Sequence, residues 1–267
     1  MTDKIFHIRE KIFRQKPLIH CITNPISINE CANTILSVGA KPIMAEHPKE
    51  VCEITVSADA LMLNIGNITD ARMESIILSL KTAKERNIPV LLDIVGVACS
   101  NLRREYIQKL LKTGTPDVIK GNYSEISSFG NSEYFSRGVD ADCSLGMCDI
   151  AEISEHLALK YQTVIIATGQ TDIITDGKRT TYVKNGTPRL SSVTGTGCML
   201  GALCSAFLTS VNPADAGIFA CIYFGICGEL ANSDLGNGSF MVNLMDRIYT
   251  LGKTDLKRYL NVEVKAK

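Results

Sequence analysis

The sequence predicts an α/β fold in which helices cover both faces of a mostly parallel β-sheet. Strand patterns alternate with helix patterns along much of the chain. The strand segments are almost continuously apolar, which is typical of parallel strands that are buried on both faces. The chain has 267 residues, 45% of them hydrophobic, and this is enough for one large core. We therefore expect one domain, residues 1–267, with a three-layer α/β architecture.

The predicted elements begin with a charged N-terminal helix and continue as strands separated by helices. The predicted strands are residues 18–22, 42–44, 60–65, 90–93, 117–120 and 163–168, and the predicted helices are residues 29–37, 69–86, 102–112 and 150–160. Asp176-Gly177 predicts a tight turn within residues 173–183, and hence a hairpin on an antiparallel edge of the sheet. The C-terminal third has mostly helical patterns.

Composition and charge favour a small-molecule partner. Lys+Arg and Asp+Glu both total 28, so no basic excess points to a nucleic acid or an anionic membrane surface. The ten cysteines include no CxxC pair, which favours reduced thiols over a zinc site. The first residues do not resemble a signal peptide, and the longest apolar run, residues 216–227, is too short to span a bilayer. We expect a cytoplasmic protein with no membrane partner.

Polar residues and glycines follow several predicted strands at the point where each strand ends. Segments of this kind are residues 64–67, 93–96, 120–125 and 168–169. In open α/β sheets, ligands bind outside the carboxyl ends of the strands. One such ending is ordinary turn chemistry, whereas this number of them predicts a shared cleft.

The loop Gly195-Thr196-Gly197 comes directly before an apolar helical run that starts near Gly197. Glycines let the backbone turn sharply and approach a ligand closely. The first turn of a helix carries unpaired N–H groups and a partial positive charge, which suit a phosphate oxygen. Cys198 lies in that turn, where a helix N-terminus is expected to lower a thiol pKa. The pattern predicts a phosphoryl-transfer site with a base beside the transferred group.

Hard oxygen ligands follow two of the central strands. Asn122 and Glu125 are three residues apart at a predicted helix start and can organise water around Mg²⁺. The same spacing fits a capping box without any metal. Asp93 is a further oxygen ligand or an N-cap, and Lys120 is a phosphate contact or a solvated charge.

Taken together, these stretches resemble the hydroxyethylthiazole kinase family, thiamine-salvage enzymes of the ribokinase-like superfamily. The resemblance extends from about residue 18 to residue 238. Its most specific segments are residues 22–24, Asn29, residues 32–33, 38–40, 44–45, 63–66, 93–97, 120–126 and 193–198. A lone Gly-Thr-Gly is a weak signal, but this set in this order is a specific one.

The resemblance implies a ribokinase-like fold and Mg²⁺- and ATP-dependent phosphorylation of the hydroxyl of 4-methyl-5-(2-hydroxyethyl)thiazole. It also implies a homotrimer with sites at the subunit interfaces. The site residues that it implies are Cys198 as catalytic residue; Gly195, Thr196 and Gly197 as anion hole; Lys120, Thr168 and Asn122 for ATP; Asn24, Met44 and Gly195 for the thiazole; and Asp93 and Glu125 for the metal. Without the resemblance, Asn24 is a turn residue before proline and Met44 is a core residue.

The chain departs from the family pattern at three positions. Lys120 occupies a position that is usually arginine, Ile94 replaces the usual proline after Asp93, and Asn67 replaces the usual threonine after the Asn-Ile-Gly strand end. None of these changes removes a chemical group that phosphoryl transfer requires. The first alters one expected nucleotide contact.

Three other functions remain open at this point. The first is a kinase for another vitamin precursor, of the hydroxymethylpyrimidine or pyridoxal type. The second is a hydrolase that uses Cys198 as nucleophile with His20 as its base, although a core role is the ordinary one for this histidine. The third is a nucleotide-binding sensor without turnover.

Overall fold

The computed structural model describes residues 1–134 and 146–266, and a nine-stranded sheet lies at the centre of the described chain. The strands are β1 (Leu18–Ile22), β2 (Lys41–Ile43), β3 (Ala60–Asn64), β4 (Val90–Asp93), β5 (Val118–Asn122), β6 (Val164–Thr168), β7 (Asp172–Thr175), β8 (Arg179–Val183) and β9 (Val262–Ala266). Their order in the sheet is β2-β1-β3-β4-β5-β6-β7-β8-β9. The pairs from β2 to β6 are parallel, and those from β6 to β9 are antiparallel.

Helices cover both faces of this sheet. They are α1 (Thr2–Gln15), α2 (Ile28–Ser37), α3 (Val51–Ser57), α4 (Asp70–Glu85), α5 (Asn101–Thr113), α6 (Tyr123–Tyr134), α7 (Met147–Tyr161), α8 (Thr196–Leu208), α9 (Pro213–Ala231), α10 (Asn237–Thr250) and α11 (Lys253–Tyr259). Short 3₁₀ turns lie at Val97–Cys99 and Pro188–Ser192. One core cluster joins the sheet to α1, α2 and α8–α11, and a second joins it to α3–α7. This is the predicted three-layer α/β architecture.

The near-continuous hydrophobicity of the strands follows from these two clusters. Successive side chains of a strand point to opposite faces of the sheet. In β3, Met62 therefore belongs to the first cluster, while Leu61 and Leu63 belong to the second. Leu91 and Leu92 of β4 divide in the same way. An apolar residue is needed at every position because helices pack on both faces.

The structure differs from the expected pattern at the antiparallel end. The β7–β8 hairpin forms around Asp176-Gly177, and Gly177 has a φ of 85°. This hairpin is not the edge of the sheet, because β9 pairs with β8 and becomes the edge strand. β9 was not predicted, because it is short and because its position depends on a partner strand some 80 residues earlier in the chain. α3 was not predicted either.

Helix α9 has 19 residues and is long and apolar enough to cross a membrane by length and composition. This exceeds the apolar run that the sequence suggested. However, 78% of its most apolar window is buried inside the fold, as in the core helix of a globular protein. Cys221 and Cys227 of this helix are buried free thiols, as expected. The length of the helix therefore reflects its position in the core.

Candidate active site

Predicted site residues lie in spatial order along the carboxyl edge of the sheet. The strands run in the order β2, β1, β3, β4, β5, β6, and the residues within the last three positions of these strands or just after them are Met44, Asn24, Asn64, Asp93, Lys120 and Thr168. The predicted acceptor residues are thus at one end of the row and Thr168 at the other. Asp93 and Lys120 lie between them. The fold brings together residues that are far apart in the sequence.

The N-terminus of α8 lies against the middle of this row. The helix begins at Thr196, and Gly195 is its N-cap residue with a φ of 90°, which an L side chain rarely adopts. A Cβ atom on Gly197 would lie 3.7 Å from the Lys120 Nζ atom. The hydroxyl of Thr196 donates to the Leu190 carbonyl at 2.6 Å, so this side chain holds the loop. The free N–H groups of the first turn and the Lys120 ammonium can therefore meet one anion.

Three neighbouring strands present a row of polar side chains beneath this helix end. Asn64, Asp93 and Lys120 are paired in register across β3, β4 and β5. Lys120 Nζ is 3.1 Å from both carboxylate oxygens of Asp93, and Asn64 Nδ2 donates to Asp93 Oδ2 at 3.1 Å. All three residues are buried. Lys120 is consequently a buried, paired cation and not a solvated charge.

Burial and neighbouring charges have opposite effects on the pKa of each residue of this pair. Burial raises the pKa of Asp93 above its ordinary value, and the Lys120 ammonium only partly offsets this rise. Burial by itself lowers the pKa of Lys120, but the carboxylates of Asp93 and Glu125 outweigh it and the net pKa is raised. The ammonium is therefore charged at neutral pH and can attract an anion.

The environment of Cys198 contradicts the expected low thiol pKa. Burial raises the pKa of Cys198, and the Asp93 carboxylate raises it further. The Ser27 hydroxyl, the Lys120 ammonium and the Asn24 amide oppose this shift without cancelling it. Asn24 Nδ2 and Asn64 Nδ2 lie 3.2 and 3.3 Å from the sulfur. The helix N-terminus does not dominate, since the thiol is enclosed and near a carboxylate. Cys198 is a neutral thiol at neutral pH.

Asn122 and Glu125 form the capping arrangement that was one of their two expected roles. Asn122 Oδ1 accepts from the Glu125 N–H at 2.9 Å, and Glu125 Oε2 accepts from the Asn122 N–H at 2.8 Å. Glu125 Oε1 accepts from the Gly96 N–H at 2.7 Å. The same carboxylate is buried and close enough to Asp93 to affect its pKa. Capping therefore places Glu125 at the site.

The donor chemistry of Asp93 and Glu125 fits hydrated Mg²⁺. Both carboxylates supply hard oxygen atoms, and each has protein donors on only part of its lone pairs. Within residues 1–134 and 146–266, no cluster of three or more His, Cys, Asp or Glu side chains could enclose a metal ion. These residues therefore suit an ion that keeps its water and is shared with a phosphate.

The two ends of the row differ in character. At one end, Asn24 is buried and its Oδ1 accepts from the Ser27 hydroxyl at 3.2 Å, while Met44 is half-buried against the first core cluster. At the other end, Thr168 pairs in register with Asn122, and its hydroxyl lies 3.4 Å from the Gly121 carbonyl. A small, weakly polar ring suits the first end, and a polar ligand suits the second.

The structure excludes the hydrolase that would pair Cys198 with His20. His20 points toward α3, where Nδ1 is 3.0 Å from Thr55 Oγ1 and Nε2 is 2.9 Å from the Ala45 carbonyl. Cys198 belongs to the core cluster on the other face of the sheet. Both ring nitrogens are engaged, so His20 cannot serve as a base for this thiol.

Asn64 is a central residue that sequence reasoning did not place among the site residues. Its side chain contacts Asp93, Cys198 and Asn24, and its Oδ1 accepts from the Gly66 N–H at 2.8 Å. The signal was present, because an asparagine at the end of an otherwise apolar buried strand needs a polar partner. Its partners became visible only when the strand register was known.

Known proteins support one family. The hydroxyethylthiazole kinase family model matches residues 9–254. "Hydroxyethylthiazole kinase 2" of Clostridium botulinum (strain Hall) is 46% identical over 253 residues, covering 91% of this chain and 94% of the relative.

The solved structures agree with this result. The hydroxyethylthiazole kinase structure from Pyrococcus horikoshii OT3 has a TM-score of 0.90 and 32% identity, covering 98% of this chain and 99% of that chain. A ribokinase-like superfamily protein from Enterococcus faecalis V583 has a TM-score of 0.62 at 12% identity, covering 91% of this chain and 87% of that chain, and so shares the fold alone. The fold is ribokinase-like. The chain belongs to the hydroxyethylthiazole kinase family and is an enzyme of that kind, a phosphotransferase with an alcohol acceptor.

Proposed function

We propose that the protein uses MgATP to phosphorylate the hydroxyl of 4-methyl-5-(2-hydroxyethyl)thiazole in thiamine salvage. The observation that carries this proposal is the order of the strand-end residues. Asn24 and Met44 lie at the acceptor end, Thr168 lies at the nucleotide end, and the start of α8 lies between them. A phosphoryl group held at α8 then has an alcohol on one side and ADP on the other.

The chain's own groups act mainly by positioning and by neutralising charge. Phosphoryl transfer passes through a loose transition state in which negative charge is spread over the transferring oxygens. The N–H groups of Gly195, Thr196 and Gly197 and the ammonium of Lys120 face this charge. As the acceptor oxygen bonds to the γ-phosphorus, the bond from phosphorus to the leaving ADP oxygen breaks. Lysine supplies the charge of the usual arginine but not its bidentate geometry.

Mg²⁺, when bound, neutralises phosphate charge. We propose that Asp93 and Glu125 hold it largely through water molecules, because their protein donors leave them only partly available. Asn122 aligns Glu125 by capping it and faces the nucleotide end of the site. Thr168 completes that end. The metal would therefore arrive mainly with ATP.

We propose that Cys198 acts on the acceptor hydroxyl as a hydrogen-bonding neighbour. Its neutral thiol is a poor proton acceptor before the reaction. In a loose transition state the hydroxyl proton is lost late, when the attacking oxygen has become acidic. Cys198 can then assist the departure of that proton without being ionised beforehand.

We propose a cytoplasmic homotrimer with acceptor sites completed at the subunit interfaces. Exposed apolar side chains support this assembly. Ile26, two residues after Asn24, is 64% exposed, and Leu235, whose carbonyl accepts from Arg189, is 63% exposed. Covering such side chains with a partner subunit would remove apolar surface from water, which favours assembly.

An ADP-release assay tests the proposed function. Purified protein, MgATP and the thiazole alcohol should release ADP, and the phosphorylated thiazole should be detectable by mass spectrometry. Hydroxymethylpyrimidine and pyridoxal are the comparison acceptors. A higher kcat/KM for either of them would replace the proposed acceptor. Nucleotide binding without turnover on any acceptor would indicate a sensor.

A further inference from the structure

His20 is a buried histidine that lies outside the row of strand-end site residues and has two defined partners. It lies in β1, is 0% exposed, and its Nε2 is 2.9 Å from the Ala45 carbonyl oxygen. Because a carbonyl only accepts, Nε2 must carry a proton. Burial lowers the pKa of His20, so the ring is neutral and Nδ1 has no proton. The bond to Ala45 is therefore the only one that the ring itself donates.

The ring does not donate a hydrogen bond in its contact with Thr55. Thr55 Oγ1 lies 3.0 Å from His20 Nδ1 and 2.7 Å from the Val51 carbonyl. Both are acceptors when the ring is neutral, and the hydroxyl has a single proton for them. Losing the Thr55 hydroxyl thus leaves the Val51 and Nδ1 acceptors without this donor, while the bond from His20 to Ala45 stays intact.

The backbone segment that His20 holds carries the predicted acceptor residue Met44. β2 has only three residues, and among the described strands it pairs with β1 alone. Directly after it, side chains anchor the chain: His20 holds Ala45, Arg72 pairs with Glu46 at 2.7 Å, and the Ser75 hydroxyl donates to the Glu46 carbonyl at 2.8 Å. The position of Met44 therefore depends on anchors that reach it from β1 and α4.

We propose that His20 is a positioning residue for the acceptor site. By donating Nε2–H to the Ala45 carbonyl, it fixes the backbone next to Met44 and thereby sets the affinity for the acceptor ring. The neutral imidazole supplies one donor at this buried position without introducing a charge. The inference rests on the proposed function in one respect, namely that Met44 contacts the acceptor.

Three variants test it. His20→Asn removes the donor that reaches Ala45, and His20→Gln keeps an amide donor on a longer side chain. Thr55→Val removes the hydroxyl contacts to His20 Nδ1 and the Val51 carbonyl but leaves the bond from His20 to Ala45 in place. His20→Asn should raise the thiazole KM about tenfold, the scale of one hydrogen bond, with the ATP KM and kcat within about twofold. His20→Gln should recover most of the loss. Thr55→Val should leave the thiazole KM unchanged even if its melting temperature falls.

Hydrogen exchange of the peptide covering residues 44–50 separates this inference from the proposed function. Exchange should be faster in His20→Asn than in Thr55→Val whether or not the wild-type protein phosphorylates the thiazole alcohol. Unchanged exchange would overturn the anchoring role. Equal increases in the thiazole and ATP KM values, or a lower melting temperature with wild-type KM values, would make His20 a core residue only. If His20→Asn does not fold, His20→Leu serves as the variant without a donor to the Ala45 carbonyl, and a wild-type thiazole KM with wild-type exchange in it would overturn the inference.

Discussion

At the scale of single residues, Cys198 shows that surroundings can outweigh a local motif. The position at the first turn of a helix favours a thiolate. In the folded chain the thiol is buried near Asp93, and this raises its pKa despite the opposing effects of Ser27, Lys120 and Asn24. The neighbouring amides hold the sulfur in position, but the surroundings do not convert the thiol to a thiolate.

Substitution of Cys198 measures how much proton transfer contributes. Cys198→Ala should lower kcat by about 10²-fold or less, the lower end of the range for general-base catalysis, because the thiol is neutral at rest. Cys198→Asp should remain active, since a carboxylate can accept the same proton. Single-turnover rates check both variants. An inactive aspartate variant together with a fully active alanine variant would remove Cys198 from proton transfer.

The pH profile tests the Asp93–Lys120 pair. Burial raises the pKa of Asp93, so its carboxylate is lost by protonation at a higher pH than an ordinary aspartate, whose pKa is about 4. As pH falls through this raised pKa, the charge opposite Lys120 and the expected metal ligand both disappear. The kcat/KM for MgATP should therefore decrease with falling pH well above pH 4.

A second carboxylate needs a control in that experiment. Burial raises the pKa of Asp172 to about 7, and the Gly169 N–H bond only partly opposes this. Asp172→Asn should keep the acidic limb of the profile if Asp93 causes it, whereas Asp93→Asn should be nearly inactive throughout. Loss of the limb in Asp172→Asn would transfer the titration to Asp172.

At the scale of elements, the junction of β5 and α6 joins a structural role to an expected functional one. Glu125 caps its own helix through Asn122 and also accepts from Gly96 in the loop after β4. The helix start is therefore tied to the neighbouring strand end. This bond places a carboxylate between the elements that carry Asp93 and Lys120.

Glu125→Gln separates these two roles. Both partners of the carboxylate are N–H donors, so the amide nitrogen of glutamine leaves one donor unpaired at a cost of about 1–3 kcal/mol. The melting temperature should fall by a few degrees in either case. If Glu125 also serves the metal, kcat should fall strongly at low temperature and excess Mg²⁺ should restore part of it. Near-normal turnover at low temperature without a magnesium effect would leave only the capping role.

At the scale of the whole molecule, assembly can be tested through the exposed side chain beside the acceptor end. Ile26→Glu places a charge on a surface that the proposed trimer covers. It should shift the sedimentation coefficient toward the monomer and raise the thiazole KM more than the ATP KM. An exposed control, Leu102→Glu in α5, should alter neither property. A wild-type protein that sediments as a monomer would contradict the proposed assembly.

The sequence by itself determined the α/β class, most strands to within about two residues, and the glycine turn before α8. These features depend on local chemistry, namely hydrophobic periodicity, turn residues and helix starts. The resemblance then identified the family, which the comparisons confirmed. Tertiary structure alone decided the pairing of Lys120 with Asp93, the central place of Asn64, the raised pKa of Cys198 and the edge position of β9. Each of these depends on strand register or burial, which bring together residues distant in the chain and change the solvation of their charges.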